Sequence, residues 1–158
     1  MKSHQGPFPG VSFLKQIAAN AFTPIQAIIS GEITTSQGER PVGAVRAGGR
    51  VTDVWMSLGA SGKHDTYVLQ ISGEVYINGA TCLTTKPSIA HVSGEASQQK
   101  TTNVSGDTGI AQAVIDATAN TFTDGDVITA KFTVVRSATP TTEMSQCVLV
   151  VELEPIMG

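Results

Sequence analysis

Two carboxylates, Asp124 and Asp126, stand either side of a glycine in the stretch TFTDGDVITAKFTVV and are the first candidates for chemistry. A close carboxylate pair can act as general acid and base, or can bind a calcium ion. An EF-hand loop needs further oxygen ligands at fixed spacing, and Ile128 occupies the next required position. Calcium would have to recruit Asp107 or Asp116 from other loops. We therefore predict that Asp-Gly-Asp forms a turn that begins a strand, and we predict no metal ligand.

Ser61, His64 and Asp65 are of the residue types that form a nucleophile, base and acid triad. Residues this close in a turn do not align along one line of attack, and no G-x-S-x-G motif accompanies them. The segment GASGK, residues 59–63, resembles part of a phosphate-binding loop. That motif needs glycine where Ser57 stands and Ser or Thr where His64 stands. We predict no catalytic residue and expect that the protein is not an enzyme.

The three histidines and two cysteines have none of the spacings that mark a zinc site, such as C-x-x-C or H-E-x-x-H. One pair of cysteines, Cys82 and Cys147, does not amount to a disulfide framework in a chain of this size. We expect both to be buried free thiols, and we predict no cofactor. A small sandwich enzyme remains the weakest functional hypothesis, and it would require His64 or His91 beside a carboxylate.

Trp55 is the only tryptophan, and the alternation around it places it on the opposite face of its strand from Val54 and Met56. It could cover the sheet, contact another subunit or provide a platform on which a sugar ring stacks. We favour these interpretations in that order. Aromatic residues are enriched at interfaces, whereas a single aromatic makes a poor glycan site.

The composition restricts the partners of the chain. Its 158 residues suit one domain, only 15% are charged, and the net charge is −3. The ten Lys and Arg residues form no run, which argues against nucleic acid and against an anionic membrane surface as partners. No apolar stretch approaches the ~20 residues of a membrane span, and the first residues, MKSHQGPFPG, lack the apolar region of a signal peptide. We expect a protein that is made in a cytoplasm.

The elements that must position these residues are strands. The sequence has 19 Thr, 16 Val and 12 Ile but only 6 Leu, and β-branched side chains favour pleated surfaces. Asn78-Gly79 is a strong hairpin signal, and Gly73 suggests a bulge or a close approach of two chains. No helical pattern lies between the strands, so we predict that residues 41–158 form an all-β domain, an antiparallel β-sandwich. Four alternating segments carry this prediction: GGRVTDVWMSL, TYVLQISGEVYING, DVITAKFTVV and QCVLVVELE.

Within these segments the alternation separates inward from outward side chains. Val148 and Val150 are apolar residues on the nominally solvent-facing side, and with Trp55 they are candidates for a contact with another subunit. The predicted inward residues are Val54, Met56, Leu58, Tyr67, Leu69, Ile71, Val75, Ile77, Ile128, Ala130, Phe132, Val134, Cys147, Leu149, Val151 and Leu153.

Residues 1–40 show no sustained alternation and are predicted to form an extended N-terminal arm, with a short helix possible before Pro24. Apolar residues in an arm must pack on their own domain or on a partner, and the sequence leaves both open. The candidates for a partner contact are Phe8, Phe13, Leu14, Ile17 and Phe22.

Two segments together resemble the jelly-roll modules of tailed-bacteriophage virion proteins, in particular the capsid decoration, or cement, proteins. The first runs from Gly49-x-Val51 through Leu58-Gly59 to Asn78-Gly79. The second has Phe122-x-x-Gly-Asp-x-Ile128 and a final strand of alternating Leu and Val, so the resemblance covers roughly residues 48–154.

This resemblance implies a β-sandwich of jelly-roll type and a non-enzymatic homotrimer on the outer capsid surface of a virion that is assembled in the host cytoplasm. The contact between the three copies would include Trp55, Val148 and Val150. The partners of the protein would be further copies of itself and the major capsid protein, which the arm would contact. A receptor-binding module of a head or tail fibre that recognises a host surface glycan is the alternative.

Overall fold

The computed structural model describes residues 23–156, and within them every regular element is a β-strand. The strands alternate buried and exposed positions as the sequence predicts. The strands are β1 (Ile25–Ile33), β2 (Gln37–Ala44), β3 (Gly49–Ala60), β4 (Leu69–Ile77), β5 (Ala80–Thr81), β6 (Leu83–Thr85), β7 (Ser88–Ala90), β8 (Lys100–Thr101), β9 (Ile110–Ala111), β10 (Val114–Ile115), β11 (Thr121–Phe122), β12 (Val127–Arg136) and β13 (Met144–Pro155).

The strands form two antiparallel sheets that face each other. Sheet A has the order β1-β13-β3-β11, and β8 also pairs with β3. Sheet B has the order β2-β12-β4-β7-β9, and β5 also pairs with β4. A short separate ladder joins β10 to β6.

The pairing of the principal strands is nested. The first strand, β1, pairs with the last, β13, and β2 pairs with β12. Further in, β3 pairs with β11 and β4 pairs with β7, so the chain forms one long hairpin rolled into two layers. This arrangement is the double Greek key of a jelly roll. The predicted antiparallel β-sandwich of jelly-roll type is confirmed.

The core lies between the two sheets and is built from the inward positions of the long strands. Ile71, Phe132 and Leu149 have no exposed side-chain surface, and burying each such side chain contributes about 1.5–3 kcal/mol. Tyr67 is an exception to the predicted inward set, because β4 begins only at Leu69 and leaves the tyrosine half exposed in the preceding loop.

Gly73, in the middle of β4, lies at a close approach of the two sheets. A Cβ atom at this position would lie 2.7 Å from the Sδ of Met56 and 2.9 Å from a Cδ of Leu149. The ladder between β4 and β12 runs past Gly73 without a register shift. Of the two roles that the sequence suggested for this glycine, the close approach is correct and the bulge is not.

The Asp-Gly-Asp segment is a turn that leads into β12. Gly125 has a φ of 87°, which glycine adopts without strain, and the Oδ2 of Asp126 accepts a hydrogen bond of 2.7 Å from the backbone N–H of Thr123. The Oδ1 of Asp126 accepts a second, of 2.7 Å, from Asn78 Nδ2. The carboxylate therefore joins this turn to the Asn78-Gly79 hairpin, whose two residues have the positive φ values that the sequence predicted.

The predicted arm is too long. Residues 25–33 and 37–44 form β1 and β2, the edge strands of sheets A and B, so the sandwich begins near Ile25 rather than at residue 41. Pro41 and two glycines interrupt the alternation of β2, and proline is tolerated there because β2 is an edge strand. Residues 1–22, including the predicted short helix, lie outside the described residues.

Both cysteines are fully buried and free, as predicted. Burial raises the pKa of Cys82 to about 11 and that of Cys147 to about 12. Both thiols are therefore protonated at neutral pH and serve as small apolar core groups.

Candidate interaction surface

The outer face of sheet B is predominantly polar, and its side chains bind one another. Glu74 accepts hydrogen bonds from the hydroxyl of Tyr76 at 2.7 Å and from Lys86 at 2.6 Å. Partial burial and the adjacent carboxylate raise the pKa of Tyr76 to about 12. Thr129 on β12 donates a 2.6 Å hydrogen bond to Glu39. Several polar side chains of this face are therefore already hydrogen-bonded to one another.

The outer face of sheet A is different, because apolar side chains lie side by side across three strands. We call Ile28, Trp55, Val148 and Val150 the apolar patch. Ile28 of β1 pairs with Val148 of β13, and Val150 of β13 pairs with Trp55 of β3. Exposed apolar groups in contact are typical of surfaces that bind another protein.

The three predicted trimer-contact residues differ in accessibility. Trp55 and Val148 are partly exposed, whereas Val150 is only 3% exposed and yet lies outside the core cluster. Val150 is covered by its neighbours on the outer face and offers almost no area to a partner. Ile28 is 53% exposed, the highest exposed fraction in the patch. It was not predicted, because β1 was assigned to the arm.

The indole of Trp55 is held in place by a neighbouring strand. Its Nε1–H donates a hydrogen bond of 3.3 Å to the Oε1 of Glu152 on β13. Glu152 pairs in register with Asp53 of β3, so two carboxylates flank the tryptophan on the same face.

The residues of the rejected triad have separate partners. The Oγ of Ser61, which is 1% exposed, accepts a hydrogen bond from the backbone N–H of Gln98. His64 packs edge-on against Tyr67, with 5.0 Å between the ring centroids. Asp65 binds neither of them, so the three side chains do not form a triad.

A histidine does lie beside a carboxylate elsewhere in these loops. His91 Nε2 lies 3.1 Å from the Oδ1 of Asp65, which also accepts a hydrogen bond from the backbone N–H of Gly94. The Gly94 and His91 contacts lower the pKa of Asp65. The imidazole is only 1% exposed, and its Nδ1 is buried without a hydrogen-bond partner. The contact between His91 and Asp65 therefore joins two loops.

A buried lysine in the same region had no signal in the sequence. The side chain of Lys100 has no exposed surface, and its Nζ donates to Glu95 at 2.8 Å and to the carbonyl of Thr108 at 2.6 Å. Lys100 and Thr108 both bind the Glu95 carboxylate and lower its pKa. The ion pair connects parts of the segment between β7 and β9, which includes β8. The Nζ of Lys100 therefore already has hydrogen-bond partners within the protein.

The predicted capsid-contact residues Phe8, Phe13, Leu14, Ile17 and Phe22 lie outside the described residues. Between residues 23 and 156, no three His, Cys, Asp or Glu side chains are grouped as a metal site would require. In the same range there is no helix with the length and apolar character of a membrane span. Neither protein-family models nor curated proteins gave a match to this chain.

Proposed function

We propose that this chain is a non-enzymatic structural protein of a tailed-bacteriophage virion. It binds the major capsid protein on the outer capsid surface and does so as a trimer. The proposal rests on the contrast between the two outer faces of a jelly-roll sandwich. The outer face of sheet A carries an apolar patch, whereas polar side chains on the outer face of sheet B form hydrogen bonds with one another.

The residues that carry the resemblance to decoration proteins support the proposal by their structural roles. Gly49 begins β3, and a Cβ atom there would lie 2.6 Å from the carbonyl oxygen of Glu154. Asn78-Gly79 forms a two-residue hairpin, and Asp126 joins that hairpin to the turn before β12. The shared pattern therefore corresponds to the turns and close contacts on which this sandwich depends.

The patch suits contact between copies of the chain. Ile28, Trp55 and Val148 present a small, contiguous apolar area, and such an area fits a three-fold axis at which the same side chains of three copies meet. Burial of this area would drive assembly through the hydrophobic effect.

The capsid contact is proposed for the N-terminal segment with its apolar residues Phe8, Phe13, Leu14, Ile17 and Phe22. A trimer would carry three such segments. Linked binding sites raise the overall affinity by about 10²–10⁴ without any new contact, so a weak contact of each segment would suffice. The bound trimer would stabilise the shell by burying area across joints between capsid subunits.

Co-sedimentation with capsids that lack this protein tests the proposal. We expect the full chain to pellet with capsids and a chain that begins at Thr23 to remain in the supernatant. Circular dichroism of the shortened chain verifies that the sandwich is intact. A full chain that stays in the supernatant, or a shortened chain that pellets equally well, would contradict the proposed capsid contact.

A further inference from the structure

A cleft of about 390 Å³ opens between the two sheets at the end of the sandwich where β1 begins and β2 ends. Ile25 of β1 and Leu153 of β13 line it from sheet A, Ala44 of β2 lines it from sheet B, and Arg46 and Ala47 belong to the loop between β2 and β3. We propose that this cleft binds a segment of the major capsid protein that carries a large apolar side chain close to a carboxylate. This inference rests on the capsid role proposed above and specifies the part of the partner that is recognised.

The apolar part of the cleft has the size and character of a binding pocket. Ile25 and Leu153 pack against the core but are only partly buried, so each retains apolar surface that a partner can cover. Ligand pockets have volumes of about 300–1,000 Å³ and are lined mainly by apolar groups. Gly43 keeps part of this space open, because a Cβ atom there would lie 3.4 Å from a Cγ of Ile25. The cleft can therefore accept a large apolar side chain together with part of its backbone.

The walls of the cleft are held in place before a partner arrives. The backbone N–H of Val45 donates to the carbonyl of Asp126 at 3.1 Å, and the N–H of Gly125 donates to the carbonyl of Val45 at 2.8 Å. These two bonds fix the loop between β2 and β3 to the turn before β12. On the other side, Ile25 pairs with Val151 in the ladder between β1 and β13. A site that is formed in advance loses less conformational entropy on binding.

The charge at the rim of the cleft favours an acidic partner. Arg46 is exposed and makes no hydrogen bond or ion pair among residues 23–156. By contrast, Arg40, Arg50 and Arg136 each bind an oxygen atom of this chain. A guanidinium presents a planar set of donors that matches a carboxylate, and the attraction increases where a bound partner excludes water. The partner segment should therefore place an aspartate or glutamate beside its apolar side chain.

The N-terminal segment of this chain is a poorer occupant of the cleft than the capsid protein. Residues 1–22 contain two lysines and no aspartate or glutamate, so neither this segment nor that of a second copy offers a carboxylate side chain to Arg46. The segment joins the described chain at Thr23, which lines the cleft. A capsid subunit that binds the segment would thus lie within reach of the cleft. Its side chain would enter between the sheets, and no strand would be added to β1 or β2.

Co-sedimentation of the full chain with capsids that lack it measures the contribution of Arg46. We expect Arg46→Ala to weaken binding about threefold in each copy, which is the scale of a solvent-accessible ion pair. Three linked copies multiply this loss to roughly thirtyfold for the trimer. Lys131→Ala is the matched control, since Lys131 is an exposed cation on the outer face of sheet B that likewise makes no hydrogen bond or ion pair among residues 23–156. It should leave capsid binding unchanged.

Filling the cleft tests its apolar part. Ala47→Trp adds an indole to an exposed position of the lining, where the ring would take up the space of the partner's side chain. We expect the affinity to fall by about a hundredfold or more, since a central apolar anchor contributes more than tenfold at each site. Ala96→Trp adds the same ring to an exposed loop that bonds to Ser61, beyond the opposite end of β3, and should have no effect. Circular dichroism and sedimentation equilibrium verify that each variant keeps the fold and the oligomeric state of the unmodified chain.

Hydrogen exchange measured by mass spectrometry distinguishes a capsid segment in the cleft from another part of this chain. The backbone amides of residues 43–47 should exchange more slowly in the capsid-bound protein than in the free protein. A cleft that is already filled in the free protein would gain no further protection. Equal exchange in the two states would therefore overturn the proposal.

The proposal is also overturned if folded Arg46→Ala or folded Ala47→Trp binds capsids as tightly as the unmodified chain. In that case the capsid role stands and only the cleft is excluded. If the unmodified chain itself fails to pellet with capsids, the capsid role and the cleft proposal fail together. The two failures are therefore distinguishable.

Discussion

At the scale of a single residue, Asp126 is a carboxylate that could have served catalysis or calcium binding but that instead connects two turns of the fold. Its two oxygens bind the backbone of Thr123 and the side chain of Asn78, so one group joins two turns that are 48 residues apart in the chain. The hydrogen bonds from Thr123 and Asn78 lower its pKa. Asp124, two residues earlier, makes no hydrogen bond within the described chain.

Replacing Asp126 by alanine should lower the unfolding midpoint at pH 7 by roughly 2–4 °C, because the two turns lose their connection. The pKa of this group is lowered by folding, so its contribution is complete above the unfolded value near 3.8 and is lost as the pH falls through the lower folded value. The difference between the unmodified chain and the variant should therefore shrink below about pH 4.

Asp124→Ala is the matched control and should leave the midpoint unchanged at both pH values. Thermal unfolding followed by circular dichroism at pH 7 and pH 3 makes the comparison. Equal midpoints for the two alanine variants at pH 7 would show that the bonds of Asp126 do not stabilise the fold.

The role of Asp126 was predictable from its neighbours, whereas that of Ile28 was not. An Asp-Gly sequence before a β-branched run predicts a turn from local chemistry alone. The exposure of Ile28 depends on which strand pairs with β13, and that pairing joins residues more than a hundred positions apart. No local pattern encodes such a contact. For the same reason the sequence did not indicate the ion pair of Lys100.

At the scale of elements, β4 shows how a glycine sets the distance between sheets. A methyl group on Gly73 would meet Met56 and Leu149 in the closely packed core. We expect Gly73→Ala to lower the free energy of unfolding by about 1–3 kcal/mol, since overpacking forces side chains and backbone to shift. Urea unfolding measures this change.

Gly38→Ala provides a control for the Gly73 substitution. Gly38 lies on the edge strand β2, where an added Cβ would have no atom within 4 Å. Its effect should stay within about 0.5 kcal/mol. If Gly73→Ala were equally neutral, the core around Met56 would be looser than the structure indicates.

The long strands β3, β4, β12 and β13 were predictable because each places core residues at every second position. The edge strands were not. β1 contains Gly31 with a φ of 72° and a register shift between Ile29 and Glu32, and β2 contains Pro41. These features obscure a period of two, and edge strands tolerate them because only one side of the strand must pair.

At the edge formed by β1 and β2, Arg40 connects the two sheets. Its guanidinium donates a 2.9 Å hydrogen bond to the carbonyl of Ile28 and lies 5.8 Å from the ring centroid of Phe132. A charge directed into the edge hinders the addition of another strand. Association through this edge is therefore disfavoured.

At the scale of the whole molecule, the account depends on the difference between the two outer faces. Ile28 on sheet A is 53% exposed, and Val135 on sheet B is 43% exposed, so a glutamate at either position is well tolerated in a single copy. Only the glutamate at position 28 would place a charge in the proposed trimer contact. The two substitutions thus form a matched pair.

Sedimentation equilibrium of the full chain at micromolar concentration tests the central claim most directly. The account predicts three times the chain mass of 16.4 kDa for the unmodified protein and for Val135→Glu, and the mass of one chain for Ile28→Glu. An unmodified protein that sediments as a single chain, or a trimer that persists in Ile28→Glu, would contradict it.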